Sequence, residues 1–206
     1  MPPVLTLLLV AVAAYLLGSV PFAVVSSRLF GLADPRSYGS KNPGATNVLR
    51  SGNKTAAIVT LLGDAGKGWL AVHLARGVGS DYGMQATLAG IAALAVFLGH
   101  LYPLFLGFKG GKGVATAAGV LLALDPLLGL VTLGTWLLVA FVSRYSSLAA
   151  LVAAVVAPIF AALSWGTDPQ VLVVGVIAMA LVGKHWQNLQ RLMAGSEPKI
   201  GGKKKA

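Results

Sequence analysis

The chain has 206 residues, of which 56% are hydrophobic and only 11% charged. An average soluble domain carries about 25% charged residues, so an ordinary cytosolic enzyme and a disordered chain are excluded, and the absence of cysteine excludes a disulfide scaffold. What fits is a small polytopic membrane protein, all-α, a bundle of transmembrane helices; its formal charge of +10 then reads as basic loops against an anionic leaflet, with no nucleic acid involved.

A membrane helix needs about 20 apolar residues to cross about 30 Å of hydrocarbon. In chain order, the apolar stretches cover residues 4–25, 55–75, 84–105, 114–124, 126–142, 147–165 and 171–182. That predicts seven spans in one domain, 1–206. The first is not a signal peptide, since no basic region precedes it and it exceeds a typical apolar signal core. The second is interrupted by Asp64 and Lys67. The fourth reaches only about 17 Å at 1.5 Å per residue, so its helix must start inside the boundary or the glycine loop before it must dip in. His73 and Arg76 fall near the outer end of the second span and read as interfacial. The Asp-Pro pairs at Asp34, Asp125 and Asp168 mark turns in the loops.

Loop charge supports this count. The loops holding 28–54, 109–112, Arg144 and the tail from Lys184 are basic, while the intervening ones are neutral or acidic. The positive-inside rule then puts the N-terminus outside and the C-terminus in the cytoplasm. A five-span arrangement breaks the alternation. Asn53-Lys54-Thr55 matches a glycosylation sequon but falls on the cytoplasmic side here.

Three polar clusters gather on that side. The first is Tyr38-Gly39-Ser40-Lys41-Asn42-Pro43-Gly44-Ala45-Thr46-Asn47-Val48-Leu49-Arg50. Ser40, Asn42, Thr46 and Asn47 offer neutral hydrogen bonds, and Lys41 and Arg50 offer charge, a set suited to a phosphate. The bland alternative is a polar turn between spans. The second holds Gly99-His100-Leu101-Tyr102-Pro103 and then Phe108-Lys109-Gly110-Gly111-Lys112-Gly113-Val114-Ala115-Thr116. A glycine loop running into a helix N-terminus is an anion seat. Close packing by small residues is the alternative, although it leaves two lysines among glycines unexplained. It is not a nucleotide-binding P-loop, because no Ser or Thr follows a Gly-Lys pair. The third is Lys184-His185-Trp186-Gln187-Asn188-Leu189-Gln190-Arg191, followed by Gly195-Ser196-Glu197-Pro198-Lys199. His185, Asn188 and Arg191 lie three apart and share a broad helix face. An amphipathic helix in the headgroups, with Trp186 as anchor, is the alternative. Asp64 and Lys67, an i,i+3 pair deep in a span, read either as functional or as a self-neutralising pair facing the bundle centre.

No cysteine nucleophile, metal-ligand spacing or Gly-x-Ser-x-Gly elbow is present, so neither a metal nor a cofactor is expected. The set is rich in anion binders and poor in bases. It suits positioning phosphates and stabilising developing charge.

These clusters resemble the motifs of the bacterial acyl-phosphate:glycerol-3-phosphate acyltransferase family. Gly-Ser-x-Asn-x-Gly-Ala-Thr-Asn-x-x-Arg reads from residue 39 to 50, Gly-His-x-x-Pro-x-Phe with Phe-Lys-Gly-Gly-Lys-Gly-Val-Ala-Thr from 99 to 116, and His-x-x-Asn with its following Arg, Gly and Glu from 185 to 197. Gly63-Asp64 and Lys67-Gly68 also look familial. One departure is Lys41, where a glycine is more usual. The resemblance implies a multi-pass enzyme of the bacterial inner membrane with its site facing the cytoplasm. It implies acyl transfer from a fatty acyl phosphate to the 1-hydroxyl of glycerol 3-phosphate, giving lysophosphatidic acid and inorganic phosphate, the first acylation of phospholipid biosynthesis. Joined to the residue chemistry, it makes Ser40, Arg50, Lys109, His185 and Asn188 the expected catalytic set. Asn42, Gly44, Thr46, Asn47, Gly110, Gly111, Lys112, Gly113 and Thr116 are then the expected substrate-binding set. The general base is either His185 or a substrate phosphate, the shortage of bases favouring the second. Glu197 is expected to fix the third motif through a basic partner. The expected partners are glycerol 3-phosphate, acyl phosphate and membrane lipids. The competing classes are a transporter for an anionic solute and a non-catalytic phosphate- or lipid-binding protein.

Overall fold

The computed structural model describes residues 2–201; Met1 and the tail lysines 203–205 lie outside the described residues. Among the described residues every regular element is a helix and none is a strand. It divides into two compact units, one ending at Pro126 and the other beginning at Leu127.

The first unit starts with α1 (Pro3–Gly18), whose Val4, Leu8, Leu9 and Val12 point outward, as suits a helix bathed in lipid. Where one continuous span over 4–25 was expected, the helix breaks before α2 (Phe22–Leu29). The cause is Pro21, which supplies no N–H and cannot continue the ladder. Ser19 covers the break: its hydroxyl donates to the Tyr15 carbonyl at 2.9 Å and accepts the Leu104 N–H at 3.2 Å. The short α3 (Ala45–Leu49) closes the first polar loop, and its Val48 packs with Ala23, Ala56, Ala57 and Leu32.

α4 (Lys54–Ser80) opens on Asn53, whose side chain accepts the Ala56 N–H at 2.9 Å. That is an N-cap, so the sequon asparagine is spent on a helix start. α5 (Gln85–Leu101) packs on α1 and α4, and α6 (Val114–Leu124) packs on α4. Between α4 and α6 the backbones touch at two glycines. A Cβ on Gly68 would fall on the Thr116 carbonyl oxygen, and one on Gly119 on the Ala65 carbonyl. Small residues let backbones touch in the absence of a hydrophobic drive between membrane helices. Arg76 lies across the end of α6, where its guanidinium donates to the Ala123 and Leu124 carbonyls. A cation there satisfies unpaired carbonyls and complements the helix dipole.

The second unit holds α7 (Pro126–Ser143), α8 (Ser146–Trp165), α9 (Gln170–Lys184) and α10 (Trp186–Met193). α8 packs on α9 through alanines 149, 150, 153, 154, 157 and 161, all buried. α9 and α10 meet at a bend of 58°. After α10 the chain returns to the start of α8. There Ile200 N–H donates to the Arg144 carbonyl at 2.7 Å, Arg144 Nη2 donates back to the Ile200 carbonyl at 3.1 Å, and Lys199 Nζ lies 5.5 Å over the Tyr145 ring.

Among the described residues, four helical segments are long and apolar enough to cross a membrane: Pro3–Leu29, Gln85–Leu106, Pro126–Ser143 and Ser146–Trp165. The bent pair Gln170–Lys184 with Trp186–Met193 makes a fifth. The expected second span is the 27-residue α4, ample in length but carrying Asp64, Lys67 and Arg76. The expected fourth is α6, with only 11 residues. The seven apolar stretches thus each become helix; two lack the apolarity or length of a plain span.

Candidate functional site

The first polar loop is held from within. Arg36 clasps Asp34 through Nη2 at 2.7 Å and Nε at 3.0 Å. The Arg36 hydrogen bonds and charge hold the Asp34 carboxyl below its ordinary value. Asn47, on α3, is buried and fully engaged. Its Oδ1 accepts the Ser40 N–H at 2.9 Å, and its Nδ2 donates to the carbonyls of Pro35 at 2.6 Å and Tyr38 at 3.2 Å. This pin leaves Ser40, Thr46 and Arg50 on the exposed side of the loop, with Asn42 and Gly44 half-buried. Lys41 has φ +56°, a left-handed conformation that costs most residues about 1–2 kcal/mol and glycine almost nothing. The one departure from the family pattern therefore falls where the backbone itself asks for glycine.

The second loop is suspended from α5. Tyr15 Oη donates to the Tyr102 carbonyl at 2.7 Å, a 3-10 turn covers Leu104–Leu106, and Lys109 emerges exposed. Gly111 N–H donates to the His100 carbonyl at 3.2 Å. No side chain fits here. A Cβ on Gly110 would fall on the His100 carbonyl, one on Gly111 on His100 Nε2 with the Pro43 carbonyl 3.0 Å away, and one on Gly113 on the Phe97 ring. Pro43 belongs to the first loop, so the two polar loops meet at Gly111. Gly113, at φ +83°, then launches α6. The N–H groups of that first turn have no partner inside the helix and point, with its dipole, at whatever the loop holds. Thr116 is fully buried on the side of α6 that meets α4, and its hydroxyl makes no hydrogen bond among the described residues.

Beneath both loops lies a buried ionic group. Lys67 Nζ is 2.7 Å from Asp64 Oδ1 and donates to the Val20 carbonyl at 2.8 Å; His100 Nδ1 is 3.4 Å from the same Asp64 oxygen. The i,i+3 spacing of Asp64 and Lys67 was visible in the sequence. Their link to His100, 36 residues on from Asp64, was not.

The third motif builds its own network in the second unit. His185 caps α10, is buried, and hydrogen-bonds through Nδ1 to the Leu181 carbonyl at 2.9 Å. A carbonyl only accepts, so the proton sits on Nδ1 and Nε2 is the basic nitrogen. Asn188 Nδ2 and Ser147 Oγ each donate to Glu197 Oε1 at 2.6 Å, and Arg191 Nε donates to Oε2 at 2.7 Å. Glu197 has the expected basic partner and two neutral ones besides. Burial pushes its carboxyl up, but the bonds from Ser147, Asn188 and Arg191 and the Arg191 charge outweigh that and hold it below its ordinary value. Ser147, on α8, carried no motif and is visible only once the chain folds back.

Residues 8–195 match the family model for glycerol-3-phosphate acyltransferase. A glycerol-3-phosphate acyltransferase of Dechloromonas aromatica is 69% identical over 195 residues, covering 95% of this chain and 96% of that one. One from Paraburkholderia phymatum is 62% identical over 201 residues, covering 97% and 95%. The crystal structure of PlsY (YgiH), an integral membrane glycerol 3-phosphate acyltransferase, in its glycerol 3-phosphate form superposes with a TM-score of 0.87 at 36% identity, over 95% of this chain and 96% of that one. Its lysophosphatidic acid form superposes at 0.85. The matched family model, the relatives and the superposed structure together place the chain in the class of integral membrane acyltransferases. The chain belongs to the glycerol-3-phosphate acyltransferase family.

Proposed function

We propose that the protein transfers a fatty acyl group from acyl phosphate to the 1-hydroxyl of glycerol 3-phosphate at the cytoplasmic face of a bacterial inner membrane. In this reading all seven apolar stretches cross or enter the bilayer, with the N-terminus outside and the C-terminus inside. The observation that carries it is the meeting of the Ser40–Arg50 and Gly110–Gly113 loops at Gly111, at the head of α6. Two anion-binding loops joined there suit a reaction with one phosphate on each substrate. The glycerol 3-phosphate and lysophosphatidic acid forms of PlsY are consistent with that acceptor and that product.

The glycine loop would cradle the phosphate of glycerol 3-phosphate, with Lys112 adding charge. Ser40, Arg50, Lys109, His185 and Asn188 would orient the two phosphates, and Asn42, Gly44, Thr46 and Asn47 would shape the first loop. Thr116, buried where α6 meets α4, would support the first turn of α6 from that side. The 1-hydroxyl oxygen attacks the acyl carbonyl carbon; the carbon–oxygen bond to phosphate breaks; the ester forms. Arg50 and Lys109 neutralise the tetrahedral oxyanion and the departing phosphate. The hydroxyl proton passes to the substrate phosphate, which leaves as inorganic phosphate. His185 Nε2 is the alternative acceptor.

The test is phosphate release by purified protein given both substrates, with acyl-CoA as a parallel donor. Release that requires both and yields lysophosphatidic acid supports the reading. A substrate base predicts that His185→Gln loses activity without shifting the acid limb of the pH profile, whereas a protein base predicts loss of that limb. No release by folded protein refutes the reaction, and uptake of labelled glycerol 3-phosphate would then test transport.

A further inference from the structure

We infer that Asp64, Lys67 and His100 form a positioning network for the phosphate cradle, an inference that rests on the function proposed above. Buried charge at bilayer depth is expensive. Asp64 and Lys67, on adjacent turns of α4, would neutralise each other without help. The structure extends the pair in both directions. Lys67 also donates to the Val20 carbonyl, at the break that Pro21 makes between α1 and α2. Asp64 faces His100 Nδ1 on α5. Two helices and the break between α1 and α2 are thus tied at one buried point.

His100 is where this point reaches the site. Its carbonyl accepts the Gly111 N–H, and its Nε2 lies where a Gly111 Cβ would be. Gly111 is therefore located from backbone and ring at once, while Asp64 Oδ1 lies 3.4 Å from the ring's other nitrogen. The Pro43 carbonyl of the first loop abuts the same spot. Any turn or slip of the imidazole moves Gly111, and with it the first turn of α6. Reactions that depend on aligned groups lose about a hundredfold for a displacement of about 1 Å. None of the three residues need touch substrate for this to hold.

The variants are Asp64→Asn, His100→Asn and the charge-neutral pair Asp64→Asn/Lys67→Met, the last chosen to fold without a stranded charge. Phosphate release is measured with glycerol 3-phosphate varied at saturating acyl phosphate, beside the thermal midpoint of each protein. A positioning role predicts that KM for glycerol 3-phosphate rises about tenfold or more in at least one variant whose midpoint stays within about 5 °C of wild type. The inference is overturned if every such variant keeps KM within about twofold, or if activity falls only in step with loss of folded protein throughout the set. Wild-type turnover with unchanged variant KM refutes this inference alone. A folded wild type without turnover refutes the reaction, and the inference with it.

Discussion

Glu197→Ala removes the one acceptor on which the third motif closes. In wild type the carboxylate receives Ser147 Oγ and Asn188 Nδ2 at 2.6 Å each and Arg191 Nε at 2.7 Å. Hydrogen bonds to a charged partner are worth about 1.5–3 kcal/mol each. The Arg191 side chain is 39% exposed, so solvent screening cuts its share to about 0.5–1 kcal/mol. Ser147 and Asn188 are buried, and each loses a 2.6 Å hydrogen bond with the acceptor. The three bonds share one carboxylate and are not additive, so the loss is about 3–5 kcal/mol, the cost of removing one partner from a buried charged group. For a chain of this size that is a fall of roughly 6–20 °C in the thermal midpoint, read by far-ultraviolet circular dichroism in detergent. Glu197→Gln keeps the volume and one acceptor oxygen and should fall between the two proteins. The pH dependence follows from the lowered carboxyl. Its contribution is complete above the ordinary value of 4.5 and disappears as pH falls through the lower folded value. Wild type should therefore lose midpoint below about pH 4.5 by an increment that Glu197→Gln lacks. A fall of less than about 3 °C in Glu197→Ala would refute the network as a stabilising element.

Arg76→Gln withdraws the fork from the Ala123 and Leu124 carbonyls and should lower stability by about 1–3 kcal/mol, seen as a lower thermal midpoint. Lys41→Gly relieves a left-handed residue at φ +56°; relief of about 1–2 kcal/mol exceeds an entropic loss of about 0.5–1, so the midpoint should hold or rise by about 0.5–1 kcal/mol equivalent. A clear drop would mean that the lysine side chain holds the loop. Gly119→Leu drives a side chain into the Ala65 carbonyl and should cost about 3 kcal/mol or more, with little folded protein recovered from membranes.

Much of this was legible because membrane helices announce themselves by composition. Each apolar stretch became helix, with the 114–124 boundaries matching α6 residue for residue. The polar motifs were legible because they interrupt apolar sequence, and Glu197 does find the basic partner expected of it, in Arg191. The break at Ser19–Pro21 was not anticipated, since apolar residues run on through it and only the missing proline N–H decides. Asn47 read as one polar residue among several; its place as the pin of the first loop depends on three backbone groups that only folding brings near. His100 was legible as a motif member but not as the partner of Asp64, because the pairing needs α4 and α5 side by side. Ser147 gave no signal at all.

The direct contact of α4 and α6 has a consequence for how substitutions behave. Side chains that interlock can change rotamer and absorb a larger neighbour, but two peptide backbones in contact have no such give. An added atom at Gly68 or Gly119 must displace a whole helix axis. Since Gly113 caps the start of α6, that displacement is delivered straight to the glycine loop. A screen scored on turnover alone would therefore rank positions 68 and 119 beside Gly111, although both lie outside the polar loops.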